Sequence, residues 1–162
     1  MKYINSTVKY ILVILMITMT ILTFYQVVTR YVFNNPPSWS EELVRFLFVW
    51  ASFIGAGIGI KEHVHIGIDV FVNLLPEKYR RSAVVLVNLI IIGFGIFLIF
   101  SSLPVVKMTN RQLSPANGIP MSYIYFSVVI MGILCILYSL FEIKDVFSKN
   151  AVKLEEKVEV IE

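Results

Sequence analysis

Three stretches of this chain, residues 10–29, 82–106 and 121–141, contain no Asp, Glu, Lys or Arg. A helix that crosses the hydrocarbon core of a bilayer needs about 20 apolar residues, so each stretch predicts a membrane span. A fourth stretch is shorter: Phe46 to Ile60 is fifteen residues without a charge. It crosses only if its flanks, SWSEELVR before it and KEHVH after it, carry charges into the membrane boundary. The pattern predicts spans at about 10–29, 42–61, 82–103 and 121–141.

Local signals divide the chain further. In the first span Met19, Thr23, Gln26 and Arg30 follow spacings of three and four and are expected on one helical face. The linker NNPPS ends that helix, because paired prolines remove amide donors and push the preceding residue out of helical geometry. Ser38 with Glu41 three residues on predicts a capping box at the start of the second helix. After that span, residues from about His65 to Leu75 are apolar apart from Asp69 and Asn73. That suits a short amphipathic helix lying in the interface; the first turns of a longer third helix are the alternative, against which Pro76 and the Glu77–Arg81 run mark a break. Asn88, Gly95 and Ser102 recur every seven residues along one face of the third span. Pro115, Gly118 and Pro120 punctuate the connection to the fourth. Residues 1–145 form the expected membrane domain, and 146–162 a charged tail, a solvated helix end or disordered.

The predicted fold class is an all-α integral membrane protein with four transmembrane helices and a short interfacial amphipathic helix. Composition agrees: 57% of the 162 residues are hydrophobic and the mean hydropathy is +0.79, more apolar surface than a soluble domain of this length hides. The first apolar run is about twice a signal-peptide core and lacks a small-x-small cleavage site, so it is expected to remain as an anchor. The net charge of +3 does not indicate nucleic acid, because the basic residues flank the spans. Ten of them (Lys2, Lys9, Lys61, Lys78, Arg80, Arg81, Lys144, Lys149, Lys153 and Lys157) fall on one side of the predicted topology. Four (Arg30, Arg45, Lys107 and Arg111) fall on the other. The imbalance predicts cytoplasmic termini. Cys135 is alone and within the last span, which excludes a disulfide framework or a thiolate metal cluster.

The second span carries the candidate chemistry. On a wheel of about 100° per residue, Arg45, Ser52, Ala56 and Gly59 fall within about 60° of Glu41, with Gly55 just to the other side. Trp50 points away. One face therefore opens with charges and continues as small residues, including Gly55-x-x-x-Gly59, a spacing that lets another helix approach closely. Packing within the chain's own bundle and docking against a different membrane subunit both fit, and composition does not separate them. Glu41, Glu42 and Arg45 have the spacing of helical ion pairs; they serve as helix-start acids with a snorkelling arginine, or as ion pairs that set the register of a partner. Arg30 either anchors the outer end of the first span or binds a partner or a lipid phosphate. His63 and His65 with Glu62 and Asp69 make a poor metal site, since residues two apart on a helix diverge by about 200°. Histidines in one loop do not suit axial haem ligation either. Spans one, three and four hold no mid-membrane ionisable side chain of the kind a proton-coupled pathway requires. Nucleophile–base constellations and phosphate-cradling glycine loops are missing too. The expectations are no catalysis, no resident cofactor or metal, and no transport pathway formed by this chain alone.

These residues resemble a known family over roughly residues 8–145. The conjunction of Trp39-Ser-Glu-Glu42, the glycine run Gly55–Gly59, His65-Ile-Gly-Ile-Asp69 and Gly118-Ile-Pro120 is similar to the small membrane subunit of tripartite ATP-independent periplasmic (TRAP) transporters. The resemblance implies a bacterial inner-membrane subunit paired with a much larger membrane subunit, which carries the substrate and binds Na+. A periplasmic binding protein delivers the substrate, an organic acid such as sialic acid or a C4-dicarboxylate. The small subunit would brace the large one. Trp39, Glu41, Glu42, Arg45, Gly55, Gly59, His65, Asp69 and Pro120 match the family pattern. Competing with this is a self-sufficient homo-oligomeric transporter, which needs an essential ionisable residue among Arg30, Glu41, Glu42 and Arg45. A membrane anchor for a redox enzyme finds no support in the residues.

Overall fold

The computed structural model describes residues 2–35, 37–61 and 76–159. The interfacial helix expected after the second span, with His63, His65 and Asp69, lies outside the described residues. Four long helices account for nearly everything described: α1 (Lys2–Tyr31), α2 (Ser38–Lys61), α3 (Glu77–Thr109) and α4 (Ser122–Glu159). Each contains a segment long and apolar enough to cross a membrane. The chain is an all-α, four-span membrane protein.

The helices stand in a single row, in the order α1, α2, α4, α3. Among the described residues α1 approaches only α2, and α3 approaches only α4. Each contact has its own residues. On α1, Leu12, Leu15, Met19, Leu22, Gln26 and Thr29 are half-buried at alternating spacings of three and four. That seven-residue period keeps one narrow seam facing its neighbour. Of the face expected from sequence, Met19 and Gln26 belong to the seam, while Thr23 and Arg30 are exposed, one position past it. Thr23 is satisfied within its own helix by donating to the Met19 carbonyl at 2.8 Å. Thr18, Thr20 and Thr29 back-bond in the same way, so these hydroxyls on a lipid-facing helix need no outside partner.

The α3–α4 contact is a glycine crossing. A Cβ added to Gly95 would lie 2.8 Å from the Gly132 carbonyl oxygen, and one added to Gly132 would lie 2.8 Å from that of Gly95. Only hydrogen fits there. Asn88 and Ser102, one heptad to either side of Gly95, are 5% and 7% exposed, so their seven-residue spacing marks the buried face of α3. Between α2 and α4 the close approach is at Gly57, where an added Cβ would meet Leu134 Cδ1 at 2.9 Å.

Two helix ends depart from expectation, and a third takes one of its two expected forms. No capping box forms at Ser38: the Glu41 carboxylate is committed to Arg30, and the Pro37 carbonyl takes both the N–H and the hydroxyl of Ser40. Helix α3 starts directly after Pro76, whose carbonyl receives the amides of Tyr79 and Arg80, and runs through Pro104 to Thr109 instead of stopping near Leu103. Helix α4 continues past residue 145 to Glu159 as one helix.

The α3–α4 connection is ordered rather than loose. Leu113 and Pro120 form an antiparallel bridge, Met121 N–H donates to Gln112 O at 2.9 Å, and Ser114 N–H donates to Ile119 O at 2.9 Å. Gly118 takes φ +63°, which a residue without Cβ adopts freely. At the same end of the row, Asn34 takes φ 50° in the α1–α2 turn, where asparagine is among the few tolerated side chains.

Candidate docking interface

The two adjacent acids at the start of α2 have different partners. Glu41 forms an ion pair with Arg30 at the end of α1, both side chains about half exposed. Glu42 turns the other way. Its Oε2 accepts hydrogen bonds from Ser114 Oγ at 3.0 Å, Ala116 N at 3.2 Å, Asn117 N at 2.8 Å and Asn117 Nδ2 at 2.9 Å. Asn117 Nδ2 also donates to the Trp39 carbonyl at 2.9 Å. Hydrogen bonds to an ionised oxygen are stronger than neutral ones. One carboxylate thus fastens the α3–α4 connection to α2, while its neighbour fastens α1. Trp39 completes this end by packing its ring against Tyr25, with centroids 6.0 Å apart.

The helical pairs considered for Arg45 therefore do not form: both acids are engaged elsewhere. Arg45 is exposed and makes no ion pair or hydrogen bond to any described residue. Phe48, Ser52 and Ala56 are exposed along the same side of α2, and Gly59 is half-buried. The stripe Glu41, Arg45, Ser52, Ala56 is thus left exposed by the packing of the described residues.

Gly55 differs from the rest of the stripe. It is half-buried and turned toward α1, an added Cβ lying 3.8 Å from Leu12 Cδ1. Trp50 is half-buried. Pro120 sits in the connection between α3 and α4, as expected, bridged to Leu113. Sequence reasoning missed Ser114 and Asn117 as partners of Glu42. The Asn117-Gly118 pair signals a turn, but nothing local shows that its donors converge on an acid more than 70 residues earlier. It also missed Gly57 as the glycine of α2 against which α4 packs.

No cluster of three or more His, Cys, Asp or Glu able to hold a metal occurs among the described residues. The features that remain are four apolar helices, an end tied together by two acids, and one uncovered stripe.

Known proteins are similar to this sequence. Residues 19–149 match the family described as tripartite ATP-independent periplasmic transporters, DctQ component. The C4-dicarboxylate TRAP transporter small permease protein DctQ of Vibrio cholerae is 34% identical over 62% of this chain and 44% of its own length. The sialic acid TRAP transporter small permease protein SiaQ of the same organism is 30% identical over 86% of this chain and 80% of its own. The sialic acid TRAP transporter permease protein SiaT of Haemophilus influenzae is 28% identical over 83% of this chain but only 22% of its own length. With four spans and a family match over most of its length, the chain belongs to the DctQ-component family of TRAP transporters, as a small permease subunit.

Proposed function

We propose that this chain is the non-catalytic bracing subunit of a sodium-coupled, binding-protein-dependent importer of organic acids in a bacterial inner membrane. The observation that carries the proposal is the uncovered α2 stripe, from Glu41 and Arg45 through Ser52 and Ala56, beside acids already tied within the chain. Small residues at helical spacing give a second membrane protein close access. The partner is a large transport subunit, in keeping with relatives such as SiaT, of which this chain matches about a fifth. Substrate and Na+ bind that partner, a separate binding protein delivers the substrate, and both termini of this chain face the cytoplasm. The substrate class follows the relatives' names, which include sialic acid and C4-dicarboxylates.

Co-expression with the large membrane subunit of the same transporter tests the assignment. A tag on this chain is expected to retain the large subunit through detergent purification. Sodium-driven uptake of an organic acid into liposomes is expected only when both subunits and the binding protein are present. Uptake by this chain alone would show it to be a transporter in its own right and would end the bracing model.

A further inference from the structure

We infer that Arg45 is the cationic half of an intersubunit ion pair, and that the large subunit presents a carboxylate from one of its membrane helices to it. The inference rests on the reading of α2 as the docking edge, and it names the chemistry of the partner there. Arg45 is in the second turn of α2, directly before the charge-free run that begins at Phe46. Ionisable side chains at such positions in membrane helices are costly and are normally paired. Cβ atoms tilt toward the helix N-terminus, so an arginine that snorkels outward from this site moves toward Glu41, one turn away. That partner is already taken by Arg30, and Glu42 by the Ser114–Asn117 connection. Each acid of α2 is turned to another partner, which leaves the guanidinium without a counter-charge among the described residues and available to a group from a second subunit.

One feature favours a protein carboxylate over a lipid phosphate. The stripe continues inward through Ser52 and Ala56, where the short side chains admit a helix that carries the acid. A guanidinium and a carboxylate dock as a fork in one geometry. The pair would fix the register of the two subunits while the small residues set their separation.

The test uses the co-expressed complex, reading the amount of large subunit retained per tagged small subunit. Arg45→Gln and Arg45→Glu are expected to lower retention at least about tenfold, the scale of an interface charge left unpaired. Arg45→Lys is expected to recover part of it. Neutralising the membrane-segment acids of the large subunit one at a time should find one whose loss is non-additive with Arg45→Gln. Reversing that acid to Arg should restore retention of Arg45→Glu. Ala56→Leu separates this inference from the broader reading. Lost retention in Ala56→Leu with unchanged retention in the Arg45 variants would overturn the ion pair and leave the docking edge standing. Unchanged retention in all of them would overturn both. Retention that depends on Arg45 and on phosphatidylglycerol in the nanodisc, but on no acid of the large subunit, would replace the carboxylate with a lipid phosphate and overturn the inference.

Discussion

Replacing Gly95 by alanine should loosen the α3–α4 crossing, and Gly93→Ala supplies an internal control two residues away on the same helix. A Cβ at Gly93 meets nothing within 4 Å. That substitution keeps only the helix-propensity gain of alanine over glycine, at most about 1 kcal/mol. A Cβ at Gly95 meets the Gly132 carbonyl oxygen at 2.8 Å, Ile136 Cγ1 at 3.0 Å and Cys135 Cβ at 3.1 Å. The nearest of these is backbone, which cannot rotate aside, so the helices must separate toward ordinary contact. Overpacking of this kind costs about 1–3 kcal/mol. Because the propensity gain is common to both variants, it cancels in the comparison. Gly95→Ala should therefore unfold more easily than Gly93→Ala by about 1–3 kcal/mol in a reversible denaturant titration of the purified protein in detergent. Helix α3 has no other neighbour among the described residues to share the strain. The chain also carries its own reporter: Cys135, its single cysteine, is 1% exposed and lines this crossing. A small permeant maleimide should label it faster in Gly95→Ala than in either wild type or Gly93→Ala. Equal stability of the two variants together with unchanged labelling would refute the glycine-crossing argument.

Three further outcomes follow from single contacts. Glu42→Gln removes the charged acceptor shared by Ser114, Ala116 and Asn117, so hydrogen exchange at the Ala116 and Asn117 amides should speed up while the α3–α4 core stays protected; equal exchange at those amides would count against the clamp. Gly57→Ala drives a Cβ to 2.9 Å from Leu134 Cδ1, and a double-mutant cycle with Leu134→Ala should show non-additivity of about 0.5–1 kcal/mol, whereas strict additivity would place the contact elsewhere. The Arg30–Glu41 pair is about half exposed on both sides, so its coupling in the isolated subunit should be below about 1 kcal/mol and should fade with added salt; a larger, salt-independent coupling would mean that the pair is desolvated.

What the sequence revealed was whatever depends on one helix at a time. Charge-free length located the spans, and the seven-residue recurrence of Asn88, Gly95 and Ser102 marked the face of α3 that α4 covers. What it could not reveal depends on two segments meeting. Glu42 has an ordinary position for a helix-start acid, and only the fold brings Asn117 to it. The glycines of α2 illustrate the same limit. Gly55, Gly57 and Gly59 look alike in sequence, yet Gly57 abuts α4, Gly55 faces α1, and Gly59 is half-buried. Their spacing says that helices can approach, and the identity of each approaching helix comes from the order of the row.

The open row also bears on which exposed residues carry information. Helix α1 leaves Tyr10, Ile14, Ile21 and Phe24 exposed, and α3 leaves Ile90, Phe97 and Phe100 exposed. In water such faces would demand a cover. In a bilayer, lipid tails solvate them about as well as another helix does, so no hydrophobic force closes the row. Apolar exposure on α1 and α3 therefore calls for no partner, and the threonines of α1 call for none because their hydroxyls bond within the helix. Arg45 is different. Lipid tails cannot solvate a guanidinium, and every acid near it in α2 is engaged. In a chain this apolar, one uncovered charge on a stripe of small residues says more about where a partner sits than all the exposed phenylalanines together.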